Sequence, residues 1–138
     1  MSEIDKPYIE SRVQDWVLRI NNIYSFVKET LSSMKGIEFS ETKNVSMHEE
    51  LMQKYNVSPV NLPILEIRNN TGLIDSFKPI GLWVIGANGR IDILTKRGAY
   101  ILVDTSDKGT QSKWKVYTPE NRKESINFDE NFIKNLVC

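Results

Sequence analysis

The stretch from Lys78 to Asp104, KPIGLWVIGANGRIDILTKRGAYILVD, sets short strand-like runs around two glycine-containing turns, and a chain with this pattern is constrained towards an antiparallel meander. Asn88-Gly89 lies between Leu82–Ala87 and Arg90–Leu94, and an Asn-Gly pair supplies the positive φ angles that a two-residue hairpin needs. This turn predicts Ala87 facing Arg90, Ile85 facing Asp92 and Val84 facing Ile93. The second turn, Lys96-Arg97-Gly98, fits a three-residue loop with Gly98 in the left-handed position. It predicts Ile101 and Val103 on one face with Ile91 and Ile93, and Tyr100, Leu102 and Asp104 on the other. A two-residue Arg97-Gly98 turn would put Asp104 beside Ile91 on the apolar face and bury an unpaired carboxylate, so the three-residue turn is expected.

In that register Asp104 stands opposite Arg90, Asp92 lies two residues along, and Trp83 and Tyr100 border them. Trp83, Arg90, Asp92, Tyr100 and Asp104 are therefore the candidate ligand- or partner-binding residues. Two carboxylates, a guanidinium and two aromatic rings suit a shallow pocket for a polar or cationic planar ligand, or the anchor patch of a protein interface. The same set also suits a cross-strand ion pair roofed by the carboxy-terminal helix. Glu66 and Arg68 could extend this face from a neighbouring strand. The glycines Gly81, Gly86, Gly89 and Gly98 follow neither the GxGxxG nor the GxxxxGK[ST] spacing and precede no helix, so they read as turn and bulge residues rather than a phosphate loop.

Upstream, Val13, Trp16, Val17, Ile20, Ile23, Tyr24, Val27 and Leu31 recur at the spacing of one helical face, which predicts a long amphipathic helix starting near Pro7 and stopping before Gly36. Ile37–Val45 reads as either a strand or an irregular connection. Ser46 and Glu49 form a capping-box signature for a short helix carrying Leu51, Met52 and Tyr55, and His48 in its first turn reads as a surface histidine without metal partners. Pro59 and Pro63 mark an irregular connector. Ile64–Arg68 alternates as a half-buried strand, and Leu73–Phe77 reads as a strand ended by Pro79. Trp114–Tyr117 is one more strand near an edge, Pro119–Asn127 a polar connector, and Asn127 or Asp129 the cap of a final helix.

The expected architecture is a single α+β domain over residues 1–138, with the long amino-terminal helix on an antiparallel sheet of about five strands, largely Ile64–Thr118, and a short carboxy-terminal helix. Lys and Arg equal Asp and Glu at 18 each, which argues against the broad positive footprint of a nucleic-acid binder. The local basic excess from Arg90 to Lys123 reads as solvated loops and protected strand edges. No apolar run is long enough to span a bilayer, and MSEIDKPYIE lacks the basic start and apolar middle of a secretory signal, so a cytoplasmic location is expected. Cys138, the single cysteine, is expected to be an incidental terminal thiol.

Two resemblances attach to these residues. Lys78-Pro79 with Gly81–Arg90 resembles a block in small uncharacterised bacterial accessory proteins of the kind carried on mobile gene cassettes, which implies a bacterial source and no particular activity. Gly89–Leu94 followed by Tyr100–Asp104 is similar to the core of restriction-endonuclease-like nucleases. That likeness implies Asp92 and Asp104 as ligands of a divalent metal, although Ser106 occupies the place of the family's lysine. The leading expectation is a non-enzymatic binding or interaction module, without cofactor, acting as a homodimer through its mixed sheet face. The alternative is a metal-dependent nuclease or phosphodiesterase, active or degenerate, centred on Asp92 and Asp104.

Overall fold

The computed structural model describes residues 4–137, so the expectation for Cys138 lies outside the described residues. The elements in chain order are α1 (Lys6–Leu31), β1 (Glu38–Met47), α2 (Glu50–Lys54), β2 (Val60–Asn69), β3 (Gly72–Gly81), β4 (Arg90–Thr95), β5 (Gly98–Asp104), β6 (Trp114–Thr118), β7 (Asn121–Asn127) and α3 (Glu130–Leu136). The seven strands form one sheet in sequence order, and every neighbouring pair is antiparallel. The architecture is α+β as expected, with seven strands rather than about five: Ile37–Val45 resolves into β1, and the supposed connector after Pro119 contains β7.

Helix α1 begins where Asp5 accepts from the Tyr8 amide at 3.0 Å, with Pro7 in its first turn. Its buried stripe runs through Ile9, Val13, Trp16, Ile20, Ile23, Tyr24, Val27 and Leu31. That stripe meets the sheet face built by Leu65, Ile67, Phe77, Ile91, Ile93, Leu102 and Val116 in one core. Tyr24 stands edge-on to Phe77, and its hydroxyl lies 2.8 Å from the Pro63 carbonyl and 3.0 Å from that of Phe77. Helix α3, capped by Asp129 on the Phe132 amide at 2.9 Å, covers the same face, with Phe132 against Tyr100 and Phe128 against Phe77.

Three local expectations are corrected. Strand β3 continues through Pro79 to Gly81, pairing Lys78 with Asp92 and Gly81 with Arg90 across an irregularity between Pro79 and Gly81. Residues 82–89 are therefore a loop, not the first arm of an Asn88-Gly89 hairpin, and only an isolated Val84–Ala87 bridge remains of that arm. The bulge supplies the physical reason: it lets proline, which has no N–H, sit inside the strand. Ser46 belongs to β1 and caps nothing. Glu49 is the N-cap residue of α2 without a side-chain cap bond, and its carboxylate instead accepts from the amides of Leu82 and Trp83 at 2.9 and 3.3 Å, fixing the loop.

The third correction reorganises the sheet. Thr95 pairs with Gly98, Ile93 with Tyr100, Ile91 with Leu102 and Arg90 with Val103. The turn thus spans Lys96-Arg97, one residue off the predicted register, and every side chain of β5 changes face. Tyr100, Leu102 and Asp104 enter the core, while Ile101 and Val103 turn away from it.

Candidate functional site

The five predicted site residues are divided among three places. Arg90 and Asp92 remain together on the face of the sheet that no helix covers, where Arg90 donates from Nε and Nη2 to the two Asp92 oxygens at 2.7 and 3.1 Å. The bidentate contact holds the Arg90 pKa above its usual range, with the Asp92 hydrogen bond the largest cause. Tyr100 is buried against Phe132 at a centroid distance of 5.6 Å. Trp83 stands in the 82–89 loop with the Arg12 guanidinium 5.8 Å from its ring centre. Asp104 is wholly buried on the core side.

Asp92 and Asp104 consequently project from opposite faces, since Asp92 pairs with Ile101 and Asp104 lies three residues further along the same strand. This geometry overturns their assignment as joint ligands of one metal. Among the described residues no cluster of three or more His, Cys, Asp or Glu side chains suits a metal ion. His48 is exposed, as expected, with Nε2 3.0 Å from the Val57 carbonyl.

Asp104 is satisfied from within the chain. Its Oδ2 accepts from Arg19 Nη1 at 2.9 Å, and its Oδ1 accepts from the Ser106 amide, the Ser106 hydroxyl and the Lys113 amide at 2.9, 2.6 and 3.0 Å. Burial pushes its pKa up, but the hydrogen bonds from Ser106 and Lys113 outweigh it and hold the carboxyl below the usual range. Arg19 also donates to the Asn88 carbonyl at 2.5 Å and to Asp15 at 2.8 Å. The observed register, with its turn at Lys96-Arg97 rather than Arg97-Gly98, likewise puts Asp104 on the core side, and the buried charge is tolerated because α1 delivers the partner. Its signal in the sequence was Arg19 itself, an arginine within the apolar stripe between Trp16 and Ile23.

On the uncovered face the register aligns Lys78, Asp92, Ile101 and Tyr117 in one row across four strands. A second row carries Arg90, Val103 and Lys115, with the Lys115 ammonium bonded to Asn127 Oδ1. Leu94, paired with Ser76 and then Glu66, is 44% exposed. Glu66 is itself buried, between Lys43 at 3.4 Å and Arg68 at 3.3 Å. Burial raises its pKa, and the bonds from Arg68 and Lys43 reverse that and leave it lowered. So Glu66 and Arg68 do extend the polar face, as the sequence suggested.

Among the concave regions elsewhere, two adjoin the Arg19 and Asn88 contacts. A cleft of about 490 Å³ runs between α1 and the 105–113 loop, lined by Asp15, Arg19, Phe26, Trp114 and Phe128 among others. A smaller one of about 310 Å³ is lined by Arg12, Asn88, Asp107 and Lys108 with the adjoining loop residues. Comparison with protein-family models, with curated proteins and with solved structures finds no match. Among the described residues no helix is long and apolar enough to cross a membrane.

Proposed function

We propose that the chain is a non-enzymatic binding module that pairs with a second copy of itself through the uncovered face of the sheet. The observation that carries this reading is the composition of that face. An antiparallel sheet left open to water ordinarily alternates apolar inward with polar outward, yet Leu94, Ile101, Val103 and Tyr117 lie on the outward side of adjoining strands. Arg90 and Asp92, at the centre, already neutralise one another, so covering them leaves no lone charge. A two-fold contact places the same patch on both partners, and branched aliphatic side chains interspersed with an internal ion pair can meet a second copy without opposing like charges at that pair.

Sedimentation equilibrium at tens of micromolar tests the reading. The expected mass is twice that of the 15.9 kDa chain, and Ile101→Arg is expected to halve it while preserving the circular dichroism spectrum. A monomeric wild-type protein, or an unchanged dimer in the variant, overturns the proposal.

A further inference from the structure

We propose that the cleft between the first turns of α1 and the loops 82–89 and 105–113 is an anion site that takes a phosphate or phosphate-ester group. Two cations from distant parts of the chain converge there. Arg12 donates from Nη1 to the Tyr8 hydroxyl at 3.4 Å, and Lys108 Nζ donates to the same oxygen at 2.8 Å while standing 4.8 Å from the centre of the Tyr8 ring. Arg12 also donates from Nη2 to Asn88 Oδ1 at 2.7 Å, and its Nε is buried without a partner. Among the described residues neither cation forms an ion pair. Both charges therefore rest on neutral oxygens around the Tyr8 hydroxyl, with Arg12 partly out of water and Lys108 at the exposed rim. A fold that brings like charges together without a carboxylate between them leaves a place for an external anion.

The neighbours complete the donor set. Asn88 is 8% exposed, and with Oδ1 occupied by Arg12 its Nδ2 is left to donate. Asn88 is also held rigidly, its amide bonded to the Asp104 carbonyl and its carbonyl to Arg19. A guanidinium, an ammonium and an amide around one cleft suit an anion with several acceptor oxygens, which favours phosphate over a halide. Trp83, stacked near Arg12, offers a ring beside the site for a planar substituent. Asp107 is the one carboxylate on the lining, and it competes internally with any anion.

Titration of 15N-labelled protein with inorganic phosphate, against sodium chloride at matched ionic strength, tests the proposal. Saturable shifts are expected at Asn88 and at residues 106–108, with a dissociation constant of about 1 mM or tighter. Lys108→Gln, on an exposed loop, and Arg12→Gln are each expected to weaken binding about tenfold, the loss for a charge-assisted hydrogen bond, whereas Asp107→Asn is expected to tighten it. A parallel titration with adenosine monophosphate distinguishes the source: tighter binding with a shift of the Trp83 indole assigns a nucleotide, and equal binding assigns a simple phosphate. Shifts that do not saturate, that follow ionic strength alone, or that persist unchanged in Lys108→Gln overturn the site.

Discussion

Arg19 and Asp104 are 85 positions apart, and the Nη1 of one lies 2.9 Å from the Oδ2 of the other inside the core. This contact joins the middle of α1 to the end of β5, and through Arg19 it also reaches the carbonyl of Asn88 in the loop after β3. The arginine face lies 4.9 Å from the Trp16 ring centre, so the pair is embedded rather than appended. It determines which face of β5 is buried.

Removing one partner of a buried pair costs about 3–5 kcal/mol where the other charge is left alone. Here Arg19 keeps Asp15 and Asp104 keeps its bonds from Ser106 and Lys113, so the loss lies below that range. Arg19→Met and Asp104→Asn are each expected to lower the urea midpoint accordingly, and the double variant to lose less than the sum. Additive losses would show that the pair is not coupled. The sign with pH follows from the lowered Asp104 pKa: its contribution is present above the unfolded value near 3.8 and is lost as pH falls through the lower folded value. Asp104→Asn is expected to flatten the acid limb of stability.

Asp75 points the other way. It is 1% exposed on the core side of β3, between Ile67 and Thr95, and neither carboxylate oxygen has a hydrogen-bond partner. Burial pushes its pKa up to about 7, with Arg97 pulling weakly against it. The folded chain then keeps a proton that the unfolded chain releases near pH 4. Stability from this group is full below that point and declines as pH rises towards 7, by about 4 kcal/mol in all. Asp75→Asn is expected to abolish the decline between pH 4 and 7, and an unchanged slope in denaturation midpoints would contradict the assignment.

Gly89 is a third sensitive point. Its φ is +123°, and a Cβ built there would stand 2.3 Å from Trp16 Cζ3. Gly89→Ala combines a strained backbone with overpacking against an indole that Trp114 buttresses at a centroid distance of 6.2 Å. A loss of about 2–4 kcal/mol is expected in chemical denaturation. Gly72→Ala, with a similar φ but open space around it, separates the backbone cost from the clash and should lose less.

What the chain carries locally was legible in its residues. The periodicity of Val13 to Leu31 gave the helix and its buried stripe; Asp129 gave the cap of α3; the alternation in Ile64–Arg68, Gly89–Leu94 and Tyr100–Asp104 gave strands, because each signal resides within a few neighbouring residues. Arg90 and Asp92, two apart on one strand, were correctly read as sharing a face for the same reason. Register between strands was not local. Whether the Lys96-Arg97-Gly98 turn holds two residues or three depends on which side chains of β5 find partners, and the partner of Asp104 comes from α1.

The α+β class, the amphipathic helix and the Arg90–Asp92 face were thus set by sequence pattern alone. Tertiary structure alone decided that Pro79 stays within β3, that Asp104 is buried on Arg19, and that Arg12 and Lys108, 96 positions apart, meet on the Tyr8 hydroxyl. A buried charge is prohibitive or tolerable according to what lies opposite it, and in this protein what lies opposite is supplied by a helix far away in the chain.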